Sequence, residues 1–169
     1  MLNSNSFRVG DQVVYPAHGV GEIIGEEVQV FGGIELKVFV ISLLKEKMTL
    51  RVPVKRAITA GLRPLSSDDA LGEVFNVLQG KSKPSKGMWS KRAQEYELKI
   101  NSGNPSAIAE VVRDLYKNSE DPDRSYSERV IYESALNRLA GEFAAVKGIA
   151  IDLALSSLMT CLEEKEFAA

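Results

Sequence analysis

Cysteine and histidine are almost missing from the 169 residues, with one of each. A lone Cys161 cannot form an intramolecular disulfide, which excludes a secreted disulfide scaffold. It stands among Leu158, Met159 and Leu162 and reads as a core position; the only histidine, His18, is too far along the chain to suggest a Cys–His pair. A metal centre of the usual soft-ligand kind needs more His or Cys than the chain has, so His18 reads as a turn residue bonding backbone. Neither a G-x-x-x-x-G-K-[ST] loop nor a G-x-G-x-x-G turn occurs, and no cofactor, small-molecule substrate or active site is expected. Asp121, Asp123 and Glu128 lack the spaced oxygens and central glycine of a calcium loop and read as a solvated turn. No apolar run approaches the roughly 18 residues that cross a bilayer. Met1 to Ser6 lack a basic stretch leading into an apolar one, so no signal peptide and a cytoplasmic address are expected. Excess positive charge is absent too. At a net charge of −2, the chain is no basic nucleic-acid coat.

What is present falls into two styles. From residue 7 to 60, apolar residues come in short, β-branched runs broken by glycine: Val13-Val14-Tyr15, Val28-Gln29-Val30-Phe31, Val38-Phe39-Val40-Ile41 and Leu50-Arg51-Val52. That is a strand signal, and Gly32-Gly33 fits a tight hairpin turn. Four or five strands in so short a stretch predict a small closed barrel. Phe7, Tyr15, Phe31 and Phe39 are expected in its core rather than in an aromatic cage for a methylated lysine.

From Ser67 the apolar spacing becomes helical. Ser67 is a predicted N-cap, with Asp68 and Asp69 suiting the first-turn dipole and Leu71, Val74, Phe75 and Leu78 on one face. Residues 80–87 form a breaker-rich basic loop, and a helix resumes at Met88 or Trp89 and reaches about Asn101. Asn104-Pro105 opens another, with Ile108, Val111, Val112 and Leu115 as its stripe. Ser125 with Glu128 is a capping box for a long helix facing Leu136, Leu139, Phe143 and Val146 inward and stopping at Gly148. A final helix carries Ile151, Leu155, Leu158 and Leu162, and the tail from Glu163 to Phe167 is left without a role. The fold class is thus α+β in two domains, 1–62 and 63–169: a small β-barrel, then an all-α domain of about five helices, joined near Ala60 to Ser66.

Charge is unevenly spread. Residues 81–99 hold six Lys/Arg against two Asp/Glu, 6 − 2 = +4, whereas residues 100–169 hold seven against twelve, 7 − 12 = −5. The only tryptophan, Trp89, lies inside the basic stretch. Lysine-rich loops are commonly just solvated and tryptophans commonly core. Here, however, no neighbouring apolar stripe claims Trp89, and a residue at a loop-to-helix junction tends to be partly exposed. An exposed indole among cations suits nucleic acid: the cations neutralise phosphates, and the ring wedges against bases at an unstacking cost that falls where a duplex is already melted. With few phosphate contacts such binding is weak and salt-dependent, and needs a partner to hold it in place.

Ordered motifs extend from residue 7 to about 148: Phe7-Arg8-Val9-Gly10-Asp11-Gln12-Val13-Val14-Tyr15-Pro16-Ala17-His18-Gly19-Val20-Gly21, then Leu50-Arg51-Val52-Pro53, Gly61-Leu62-Arg63-Pro64, Val74-Phe75-Asn76-Val77-Leu78, Trp89-Ser90-Lys91-Arg92, and Ala109-Glu110-Val111-Val112-Arg113-Asp114-Leu115. Together they resemble the CarD/CdnL family of bacterial transcription regulators, whose first domain is similar to the polymerase-interaction module of the transcription-repair coupling factor. The resemblance implies a Tudor-like barrel that binds the RNA polymerase β subunit. It also implies a helical domain that contacts promoter DNA at the upstream edge of the melted bubble and stabilises the open complex. By position, Arg51 would contact polymerase together with Gln29, Val52 and Pro53. Trp89 would be the DNA wedge, with Lys86, Lys91 and Arg92 on the backbone. Gln29 and Gln94 stand where some relatives carry a basic residue. The alternative reading is a protein–protein interaction module without direct DNA contact.

Overall fold

The computed structural model describes residues 7–43, 45–83, 86–116 and 125–168, with side chains to residue 164. Met1 to Ser6, Asp121, Asp123 and the tail side chains from Lys165 onward, all considered above, lie outside the described residues. The chain divides into two compact units, 1–65 and 66–169.

In the first unit, β1 (Gln12–Tyr15), β2 (Gly19–Phe31), β3 (Ile34–Leu43), β4 (Met48–Pro53) and β5 (Arg63–Pro64) form one sheet in the order β4-β3-β2-β1-β5. Its pairs are antiparallel. The β2–β3 turn is Gly32-Gly33, with φ of +57° and +82°. These are the left-handed values that a two-residue turn of matching twist requires and that glycine adopts at no steric cost. Strand period then sorts the side chains. Phe39, Ile41 and Leu43 point to one face and are sealed there with Phe7, Val13, Ile23, Val52, Ala57 and Leu62. Phe7 meets Phe39 edge to face at 6.5 Å, a favoured aromatic geometry. Gly21 is fully committed to this packing, since a Cβ there would lie 2.8 Å from Ile41 Cγ2 and 3.0 Å from the Ser42 carbonyl oxygen.

Two expectations need correction. The sheet is open rather than closed: the terminal strands β4 and β5 are not paired with each other. Physically, β5 has only two residues, and a short helix, α1 (Val54–Thr59), leads away from β4 and places Val54 and Ala57 in the sheet's core. The helix covers part of the apolar face that strand closure would otherwise have sealed. The second correction concerns Phe31, which is 56% exposed instead of core. Pairing of β2 with β1 ends at Glu22, and pairing of β3 with β4 begins at Val38. Beyond those points the hairpin is a two-stranded ribbon, with no further strand paired to it among the described residues of this unit.

The second unit contains α2 (Asp68–Gln79), α3 (Trp89–Asn101), α4 (Pro105–Leu115), α5 (Tyr126–Lys147) and α6 (Ile151–Ala168). Ser67 Oγ accepts from the Ala70 N–H, Asn104 Oδ1 from Ser106 and Ala107, and Ser125 Oγ from Glu128, so these caps satisfy otherwise orphaned amides. Gly148 ends α5 in the left-handed conformation at φ +65°, the usual helix stop. Leu78, Tyr96, Val111, Val112, Leu115, Leu139, Leu158 and Leu162 are at the centre of the core, and Cys161 is buried with them. On α5, Leu139 is buried with Ile131, Tyr132 and Ala135, and the half-buried Leu136 and Phe143 pack against the same core; Val146 is half-buried. Ile151 is exposed. Among the described residues no single helix is long and apolar enough to cross a membrane.

Candidate functional site: two binding surfaces

On the sheet unit the face opposite the core carries the candidate polymerase residues. Cross-strand register puts Arg51 beside Val40 and Gly25, Pro53 beside Val38 and Glu27, and Gln29 beside Leu36. Residues paired directly across a ladder share a face, so Arg51, Pro53, Glu27, Gln29, Phe31 and Ile34 all lie on the outer one. Arg51 Nε donates to Glu27 Oε2 at 3.3 Å. Because β3 runs between their strands, this ion pair passes over β3, which explains why Val38 and Val40 are buried on an outward face; long charged side chains cover apolar surface with their stems. Val52 belongs to the opposite face and to the core, so its side chain is withdrawn from any docking partner. Sequence reasoning missed the hairpin tip. Val28, Val30, Phe31 and Ile34 are 56–65% exposed; Phe31 and Ile34 add apolar surface to the outer face, and Val28 and Val30 lie on the other face of the ribbon. The available signal was length: a 13-residue strand has to outrun its four-residue neighbour.

On the helical unit, the basic loop is anchored rather than merely solvated. The Lys83 N–H donates to Asp114 Oδ1 at 2.9 Å, and Arg113 Nε donates to the same oxygen at 2.9 Å. Asp114 is buried, and a buried carboxylate with such partners is a strong, directional anchor. It therefore fixes where the loop leaves the core. Lys81, Lys83, Lys86 and Lys91 remain exposed.

Trp89 is the first residue of α3 and is half-buried. It is claimed by a stripe after all. Trp89, Ala93, Tyr96 and Ile100 lie on one face of α3 and pack on the helical core, with Trp89 and Tyr96 centroids 6.3 Å apart. The indole N–H donates to Ser127 Oγ on α5 at 3.3 Å. The ring is held at the margin of the core and is not sealed within it. Lys91 is exposed beside it. Arg92 is placed differently. Its guanidinium carbon lies 5.4 Å from the Trp89 ring centroid and 6.0 Å from that of Tyr96, and Arg92 is half-buried. Gln94 is exposed on the same helix. Among the described residues no group of His, Cys, Asp and Glu is arranged to hold a metal ion.

Comparison with known proteins decides what kind of molecule carries these surfaces. Residues 7–66 match the family model described as "CarD-like/TRCF RID domain", and residues 73–158 match that of "CarD, C-terminal domain". The chain belongs to the CarD family. It is similar to YdeB of Bacillus subtilis (strain 168), a protein assigned as a transcription factor. The two are 29% identical over 143 residues, which is 85% of this chain and 94% of YdeB. This CarD-family chain is therefore a transcription regulator, and its sheet unit is the RNA-polymerase-interacting domain.

Proposed function

We propose that the sheet unit docks on the β subunit of RNA polymerase while the helical unit contacts promoter DNA at the upstream edge of the melted bubble, stabilising the open complex without catalysis. The observation that carries the reading is the position of Trp89: half-buried at the first turn of α3, between a loop with the exposed Lys81, Lys83 and Lys86 and the exposed Lys91 of the helix. Its ring is available to bases without being free to collapse into the core. Lys86 and Lys91 neutralise backbone phosphates on either side of it, which makes the contact weak alone and steeply salt-dependent.

The polymerase contact rests on Arg51, Gln29 and Pro53 on the outer sheet face, joined by Phe31 from the exposed hairpin. Arg51 already has a partner in Glu27, but an exposed ion pair is worth little. Exchanging it for an acidic group on polymerase is therefore cheap. Val52 contributes only through its backbone on the edge strand β4.

Two measurements test this. The protein should co-elute with core polymerase through its β subunit, and Arg51→Glu should abolish that. On promoter complexes, Trp89→Ala should leave polymerase binding intact and shorten open-complex lifetime. An unchanged lifetime would remove the wedge. The rival reading, in which the helical unit docks another protein, is favoured by the exposed Leu98 and Tyr126. It predicts no new footprint beside the bubble and no salt-sensitive DNA signal.

A further inference from the structure

Arg92 was expected to hold phosphate beside Lys91, yet its geometry suits a different task. Trp89, Arg92 and Tyr96 fall at i, i+3 and i+7 on α3, so their side chains stack along one helix face. The Arg92 guanidinium lies 5.4 Å from one ring and 6.0 Å from the other, both within cation–π range. Its Nε is buried and has no hydrogen-bond partner among the described residues. A buried donor left unpaired is costly, and a group placed there for phosphate would turn that nitrogen outward. Tyr96 is 1% exposed and belongs to the core. The second end of the arrangement is on α5, where Ser127 Oγ accepts from the indole N–H.

We propose that Arg92 is a positioning residue, which together with Ser127 clamps the Trp89 indole in one orientation, and that it does not itself bind DNA phosphate. The proposal rests on the reading of Trp89 as the promoter contact. A tryptophan at the first turn of a helix, with no side-chain cap there, would otherwise sample several rotamers. Holding one in advance removes that ordering cost from binding. The guanidinium plane, and not merely the positive charge, is what stacks.

The test separates plane from charge. Because Trp89 is the only tryptophan, its time-resolved fluorescence anisotropy in the full-length protein reads the ring's mobility directly. Arg92→Lys keeps the charge and should increase the fast depolarisation of the indole. It should also shorten open-complex lifetime by about two- to fivefold, with the slope of log lifetime against log salt unchanged. Ser127→Ala, at an exposed position where misfolding is not a concern, should mobilise the ring in the same sense. The proposal is overturned if Arg92→Lys retains wild-type anisotropy and lifetime, or if Arg92→Ala lowers the salt slope by about one, the signature of a lost phosphate contact. Failure of the underlying reading looks different: Trp89→Ala would then leave open-complex lifetime unchanged, whatever the anisotropy of the Arg92 variants.

Discussion

The two units present their proposed binding groups in opposite ways. In the sheet unit the outer face is set by strand alternation: once Phe39, Ile41 and Leu43 are committed inward, Arg51, Gln29 and Phe31 must face outward, and the ladder holds them there. In the helical unit the proposed contact, Trp89, is half inside its own core. Trp89 is oriented by Arg92, Tyr96 and Ser127, and the basic loop before it by the buried Asp114. A ladder displays side chains as a by-product of pairing, whereas a helix terminus needs dedicated contacts to aim one ring. The lesson is that losses of function should come from surface residues in the first unit and from partly buried ones in the second.

The comparison breaks most visibly if the units do not unfold separately. Phe39→Ala should cost the sheet unit about 3–5 kcal/mol, and Leu115→Ala should cost the helical unit about 2–5 kcal/mol. In urea titrations the Trp89 fluorescence transition should follow the second substitution and not the first. Coincident shifts in both would show one cooperative unit. Next in size is Asp114→Ala, at about 2–3 kcal/mol, because it leaves the Lys83 N–H and the Arg113 guanidinium without their buried acceptor. Faster amide exchange at Lys83 would confirm that the loop has lost its anchor. Gly21→Ala forces a methyl against Ile41 and the Ser42 carbonyl and should cost about 1–3 kcal/mol by overpacking, read as a lower melting temperature of the strand signal. The smallest stability change is expected for Arg51→Ala, within about 0.5 kcal/mol, since its ion pair with Glu27 is exposed. That same variant should weaken polymerase binding about tenfold in a titration. A large loss of stability would mean that the residue serves the sheet instead of the surface.

Much of this fold was legible because local rules sufficed. Ser67, Asn104 and Ser125 cap the predicted helices, Gly148 stops α5, and Gly32-Gly33 turns the hairpin. α1 was not legible: Val54-Lys55-Arg56-Ala57-Ile58-Thr59 is shorter than two turns, and its place depends on the open side of the sheet. Phe31 went astray for a related reason. Alternation specifies which face a strand residue takes, but not whether another layer covers that face. Trp89 stands at the junction its flanking residues indicate, and the stripe it shares with Ala93, Tyr96 and Ile100 is legible in their spacing, although the polar residues between them obscure it.

By itself the amino-acid order determined the two styles of structure, their order along the chain, the helix ends and the family, since each depends on neighbours a few residues apart or on motifs read in sequence. Only the tertiary structure decided that the sheet stays open, that the hairpin tip is bare, that Val52 is withdrawn, and that Arg92 turns toward rings instead of solvent. Those outcomes depend on which surfaces meet after distant segments pack, and burial is a property of that meeting rather than of any residue type.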